Sequence, residues 1–284
     1  MSNLISAAEL HTRLGAPELR IVDVRASLTD PHAGRRLYDE NHLPGAVFLS
    51  LEDDLSGPTE AHGGRHPLPD MFTFAHTLQT HGIGDGAEVV VYDDSGGMFA
   101  ARLWWLLRYA GFDGARVLDG GYSAWTAAGL PVTQAVPGSE LRPLTLHLRP
   151  YLTATMKEVL AKLGDNRVKL FDARAPERYR GETEPFDKKA GHIPGAINKP
   201  FAENLEAGRF KSPEALRDRF AEAKDADEVI LYCGSGVSAA HNALALEEAG
   251  LGGARLYVGS WSDWSSHDEN PVATGDETVS ENRK

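Results

Sequence analysis

The chain has 284 residues, 42% of them hydrophobic and 25% charged, the composition of a soluble globular protein with room for about two domains. Its formal net charge of −12 argues against nucleic acid as a partner, although it leaves room for a local basic pocket that holds a small anion. A lone cysteine cannot form an internal disulfide, no stretch approaches about 18 apolar residues, and the first residues carry no basic leader, so a cytoplasmic protein without a membrane partner is expected.

In the first half, "IVDVR" (21–25) is a short apolar segment, and "HLPGAV" (42–47) is a turn by its Pro-Gly pair. "EVVVYD" (88–93) predicts a buried strand and "GMFAARLWWLLRYAG" (97–111) a helix. Residues 134–150, rich in Pro and polar residues, read as a linker. Beyond it, Thr153 is placed to cap a helix over 154–163, and "VKLFDA" (168–173) predicts a strand. "HIPGA" (192–196) is a second Pro-Gly turn, and Ser212-Pro213 marks a helix start. "EVILYC" (228–233) predicts a buried strand, 237–249 a helix stopped by Gly250, and "RLYV" (255–258) a last strand. The tail 271–284 is polar and expected to fray.

These elements repeat. "IVDVR" resembles "LFDAR" (170–174), "HLPGAV" resembles "HIPGAI" (192–197), "VVVYDDSGG" (89–97) resembles "VILYCGSGV" (229–237), and "RVLDGGYSAW" (116–125) resembles "RLYVGSWSDW" (255–264). The blocks keep their order at an offset of about 140–150 residues, which indicates a duplicated domain. The expected division is 1–133 for the first copy, 134–150 for the linker and 151–270 for the second copy. Strands joined through helices imply mainly parallel sheets.

The only cysteine, Cys233, ends a predicted strand and precedes a helix. In open α/β sheets that turn faces the ligand crevice. A helix N-terminus supplies free N–H groups, and Gly234 and Gly236 let the backbone curl so that amides converge. Such a cradle favours the thiolate, the form that attacks, and any anion built on it. A buried structural cysteine would not need the Gly-Ser-Gly that follows. Asp93 stands at the matching place in the first copy, so only the second copy can use a sulfur nucleophile.

With its paired D-x-R, H-[IL]-P-G-A and G-x-x-x-x-W blocks and its Cys loop, the chain resembles the two-domain rhodanese family to about residue 275. "CGSGVSA" (233–239) is similar to the active loop of the 3-mercaptopyruvate branch. The resemblance implies an α/β fold of two tandem rhodanese-like domains, each a mainly parallel sheet flanked by helices. It implies a thiosulfate or 3-mercaptopyruvate sulfurtransferase, in which a small anionic donor passes sulfur to Cys233 to give a persulfide. A thiophilic acceptor (cyanide, sulfite, a small thiol or an acceptor thiol protein) then takes the sulfur, and no cofactor or metal is required. Arg178 matches the arginine that holds the donor, while Gly234, Gly236, Val237 and Ser238 shape the cradle. Ser235, His66 and Glu52 match a Ser–His–acid proton relay, which the domain interface would bring to Cys233. The branch usually has a second donor arginine after Glu-Pro; here Pro185 is followed by Phe186 and Asp187. That loss, on the order of 1.5–3 kcal/mol, makes thiosulfate a contender as donor.

Among the other charges, Arg174 reads as a structural ion pair and Lys188 and Lys189 as solvated. His42 and His192 are expected to be turn residues, and Trp125, Trp261 and Trp264 core aromatics. Two rivals stand beside the transferase: a persulfide carrier without turnover, and a Cys-dependent phosphatase. The latter is disfavoured because Ala239 and Ala240 stand where its loop would need an arginine.

Overall fold

The computed structural model describes residues 2–276. They sort into two compact units, each built on a five-stranded sheet whose paired strands all run parallel. The first unit holds 2–57, 68–150 and 205–210, and the second holds 58–67, 151–204 and 211–276. A cut by sequence position alone misses two short exchanged segments. They lie at corresponding places in the two repeats, after the His-x-Pro-Gly turn.

The first unit runs β1 (Leu4–Ile5), α1 (Ala7–Thr12), β2 (Leu19–Asp23), α2 (Ala33–Glu40), β3 (Ala46–Phe48), α3 (Met71–Thr80), β4 (Glu88–Tyr92), α4 (Met98–Tyr109), β5 (Ala115–Leu118) and α5 (Gly121–Ala127). Its strand order is β1-β5-β4-β2-β3. The second unit runs β6 (Thr153–Ala154), α6 (Met156–Ala161), β7 (Val168–Asp172), α7 (Pro176–Tyr179) and β8 (Ile197–Asn198). The chain then contributes the hairpin β9 (Leu205–Glu206) and β10 (Arg209–Phe210) to the first unit. It returns with α8 (Pro213–Arg219), β11 (Glu228–Tyr232), α9 (Ser238–Glu248), β12 (Arg255–Tyr257) and α10 (Ser260–Trp264). The order β6-β12-β11-β7-β8 repeats the first sheet strand for strand.

Repeated blocks give repeated packing. In β4 and β11 the last four residues are all buried, as in strands covered on both faces. Val90, Leu43, Ala46 and Trp125 of one core take the places of Ile230, Ile193, Ala196 and Trp264 in the other. The D-x-R blocks close buried ion pairs, Arg25 on Asp23 and Arg174 on Asp172, at 2.7 and 2.6 Å. Both turn histidines are structural: His42 and His192 bond the carbonyls of Tyr38 and Tyr179 at 2.8 Å and stack on those rings. The three indoles bond carbonyls in the core: Trp125 to Pro131, Trp261 to Lys189 and Trp264 to Pro271.

Several local expectations are corrected. Thr155, not Thr153, caps α6; its side chain and that of Glu158 form a reciprocal capping box. Residues 134–150 are strapped onto the first unit: the amides of Arg142, His147 and Arg149 bond the carbonyls of Gln79, Ala110 and Tyr109. The expected frayed tail is held over its first residues, because Ala273 exchanges both backbone hydrogen bonds with His192. The rest of that expectation, 277–284, lies outside the described residues. Lys189 is not a solvated charge; its ammonium donates to the carbonyls of His267 and Asp268. Among the described residues, no helix is long and apolar enough to cross a membrane.

Candidate active site

β11 runs to the carboxyl edge of its sheet, and Cys233 is the next residue. The side chain is buried, at 1% exposure, and its Sγ accepts the Gly236 N–H at 3.1 Å. Gly236 has φ +81°, and a Cβ there would lie 2.3 Å from the Val258 carbonyl oxygen, so only glycine fits. Val237 precedes the first turn of α9 without a side-chain cap, and Ser238 opens the helix. The carbonyls of Cys233 and Gly234 accept the N–H groups of Trp261 and Ser262 in α10.

Ser260 completes this frame. It has φ +54°, although it is not glycine, and it is fully buried. Its Oγ accepts the Cys233 N–H at 3.1 Å and stands 4.0 Å from Sγ. The matching residue of the first copy is Gly121, with φ +59°. A serine held in that region costs on the order of 1 kcal/mol, and only the copy with the thiol bears it.

The first copy shows what the loop geometry binds. Asp93 sits at the end of β4, fully buried, and its carboxylate accepts the N–H groups of Ser95, Gly97, Phe99 and Ala100 at 2.7–2.9 Å. Burial pushes its carboxyl up, against the pull of those four amides. The same strand–loop–helix thus holds a carboxyl group in one unit and a sulfur in the other.

His66 belongs to the exchanged segment 58–67, within the second unit. Its Nδ1 lies 2.7 Å from Ser235 Oγ, and both residues are buried. The segment is anchored there by Gly63, whose N–H donates to Asp263 Oδ1 at 2.8 Å, and by His62, which bonds Ser266 Oγ. Glu52 lies in the first unit, exposed in the turn after β3.

Arg178 rises from α7, at the same sheet edge as Cys233. It makes a forked ion pair with Glu184, Nη2 to Oε1 at 2.7 Å. Its Nη1 and Nη2 lie 3.1 and 3.3 Å from where a Cβ on Gly234 would be. Arg174 is fully engaged with Asp172, Glu184 and the Gly191 carbonyl, as the structural pair expected of it. Lys188 is exposed.

Two residues of this neighbourhood were not singled out in the sequence. Arg65 Nη2 lies 3.3 Å from the same Gly234 position, and Asp187 pairs with Arg65. Burial pushes the Asp187 carboxyl up, while Arg65 pulls it back. A clue was present: Arg65 directly precedes His66, and Phe186 interrupts the arginine pattern.

A parallel sheet doubled in this way, with a buried thiol on an amide loop at its carboxyl edge, defines a rhodanese-type protein. The rhodanese-like domain family matches residues 6–128 and 155–267, so the chain belongs to that family. It is 48% identical over 283 residues to a protein of Pseudomonas aeruginosa named "Probable 3-mercaptopyruvate sulfurtransferase", covering 97% of this chain and 99% of that one. It is 36% identical over 262 residues to mouse thiosulfate sulfurtransferase, covering 89% and 86%. The crystal structure of SseA from Escherichia coli, described as a 3-mercaptopyruvate sulfotransferase, superposes with a TM-score of 0.81 at 29% identity, covering 92% of this chain and all of that one.

Proposed function

We propose that the protein is a sulfurtransferase that carries a sulfane sulfur from thiosulfate or 3-mercaptopyruvate to a thiophilic acceptor as a Cys233 persulfide. The observation that carries this reading is the buried Cys233 Sγ, which accepts an amide N–H at 3.1 Å in a loop whose next residue, Gly234, abuts the guanidinium of Arg178. The relatives' names support the same chemistry.

In the first half-reaction the Cys233 thiolate attacks the donor's outer sulfur. A new S–S bond forms, and the donor's S–S or C–S bond breaks with its electron pair leaving on sulfite or on pyruvate enolate. Arg178 holds the donor's oxyanion by paired charge-assisted hydrogen bonds. The N–H of Gly236, with the backbone of Gly234, Val237 and Ser238, stabilises the sulfur anion. His66, through Ser235, delivers the proton that turns the enolate into its ketone. In the second half-reaction the acceptor attacks the outer sulfur and Cys233 leaves again as thiolate.

Intact-mass measurement after exposure to each donor tests this. The wild type is expected to gain one sulfur atom, about 32 Da, and to lose it on adding cyanide. Cys233→Ser should gain nothing and turn over neither donor. A wild type that never gains sulfur, or loading elsewhere than Cys233, defeats the reading.

A further inference from the structure

The second unit holds a cavity of about 180 Å³ whose lining includes Arg65, Phe186, Asp187 and Ser262. Arg65 and Arg178 come from segments more than a hundred residues apart, yet they converge. Both guanidiniums pack on the Phe186 ring, at 5.3 and 5.2 Å from its centroid. Both pair with Asp187, Arg65 through Oδ1 and Arg178 through Oδ2. Both press on Gly234, the residue after the nucleophile, where a side chain would force them aside.

The carboxylates around this pair are shared. Among the ion pairs of the cluster, Glu184 is shared between Arg174 and Arg178, and Asp187 between Arg65 and Arg178. With Arg174 also on Asp172, three guanidiniums share three carboxylates, so the cluster carries no surplus negative charge. Asp187 is itself held in a site that penalises its charge. Arg65 keeps a side-chain exposure of 29%, against 5% for Asp187, so its fork remains open to a second partner.

We propose that Arg65 is the second guanidinium of the donor clamp, converging with Arg178 on the oxyanion of the sulfur donor over Gly234. It supplies from the exchanged segment the charge that Phe186 does not supply in place. Phe186 acts as the platform that spaces the two forks, a cation–π arrangement that leaves their N–H edges for the ligand. This rests on the sulfurtransferase reading above.

Steady-state kinetics with thiosulfate and with 3-mercaptopyruvate tests it, on wild type, Arg65→Ala, Arg65→Lys and Asp187→Asn. Arg65→Ala is expected to raise the donor KM by about tenfold or more, the loss of one charge-assisted pair, with kcat within about twofold. Discharge of a preformed Cys233 persulfide to cyanide should not change, since the donor has then left. Arg65→Lys should also raise KM, because an ammonium cannot fork. Asp187→Asn should leave KM unchanged or lower it, because it frees the guanidinium. A rise for 3-mercaptopyruvate alone assigns the clamp to a carboxylate; a rise for thiosulfate alone assigns it to the sulfonate-like oxygens. Unchanged KM for both donors in Arg65→Ala overturns the inference, as does an Asp187→Asn that loses as much, since Arg65 would then be only a structural partner. If Arg65→Ala does not fold, the Arg65→Lys and Asp187→Asn pair decides in the same way. A wild type that forms no persulfide at all defeats the parent reading instead.

Discussion

At the scale of single residues, the two copies form a natural substitution experiment. Asp93 and Cys233 occupy one position in one loop, and the amides turned toward Asp93 identify the loop as an anion holder before any ligand is considered. Asp93→Asn should therefore be costly despite its near-identical shape. An amide oxygen can serve part of the set, but its NH2 would meet N–H donors, and the unsatisfied amides should lower stability by about 2–4 kcal/mol. Urea unfolding of the variant checks this; a loss below about 0.5 kcal/mol would mean that the carboxylate is not what holds the loop. The place of Cys233 between a strand and a helix was legible in the sequence because glycines follow it. Arg65 was not, because nothing adjacent to it in the chain reports which loop it will reach. Ser260 escaped notice for a different reason: its strain exists only as a backbone angle, and the aligned Gly121 becomes informative once that angle is known.

Among the elements, the strands and long helices were readable from periodicity, whereas ends and short pieces were not. The continuous apolar runs of β4 and β11 and the helices α4 and α9 fell close to their expected bounds. The start of α6 was misread by two residues, because Thr153 and Thr155 are both competent caps. What decides is the partner three residues on, Glu158, which bonds the Thr155 N–H and hydroxyl at 2.8 Å and also holds Arg255. These partners hold the Glu158 carboxyl at about 2, below its ordinary 4.5. A depressed carboxyl contributes stability above the unfolded value and loses it as pH falls toward the folded one. Glu158→Gln should thus be less stable than wild type above about pH 4.5, with the gap closing as pH falls toward 2. Thermal melts across that range check it, and a gap independent of pH would assign the effect to packing. The segment 134–150 was read as a linker from its Pro and polar content; composition cannot reveal that its amides find carbonyls on Gln79, Ala110 and Tyr109.

For the whole molecule, the duplication was visible in four blocks of sequence, but the exchange of 58–67 and 205–210 was not. Both segments are short and without strong periodicity, and their place is fixed by tertiary partners such as Asp263 for Gly63 and Asp119 for Phe210. A fragment starting at residue 151 would keep Cys233 and Arg178 but lack both His66 and Arg65. It is expected to fall at least about a hundredfold in kcat/KM for 3-mercaptopyruvate, the scale of losing a general acid. Turnover of the purified fragment at near wild-type rate would mean that the segment is dispensable to the chemistry.

The traded segments also bear on how such a gene can change. Deleting one repeat, the simplest reversal of a tandem copying event, would now strip the survivor of a piece it no longer encodes. Ancestry by doubling has left each unit built partly from a segment of the other repeat.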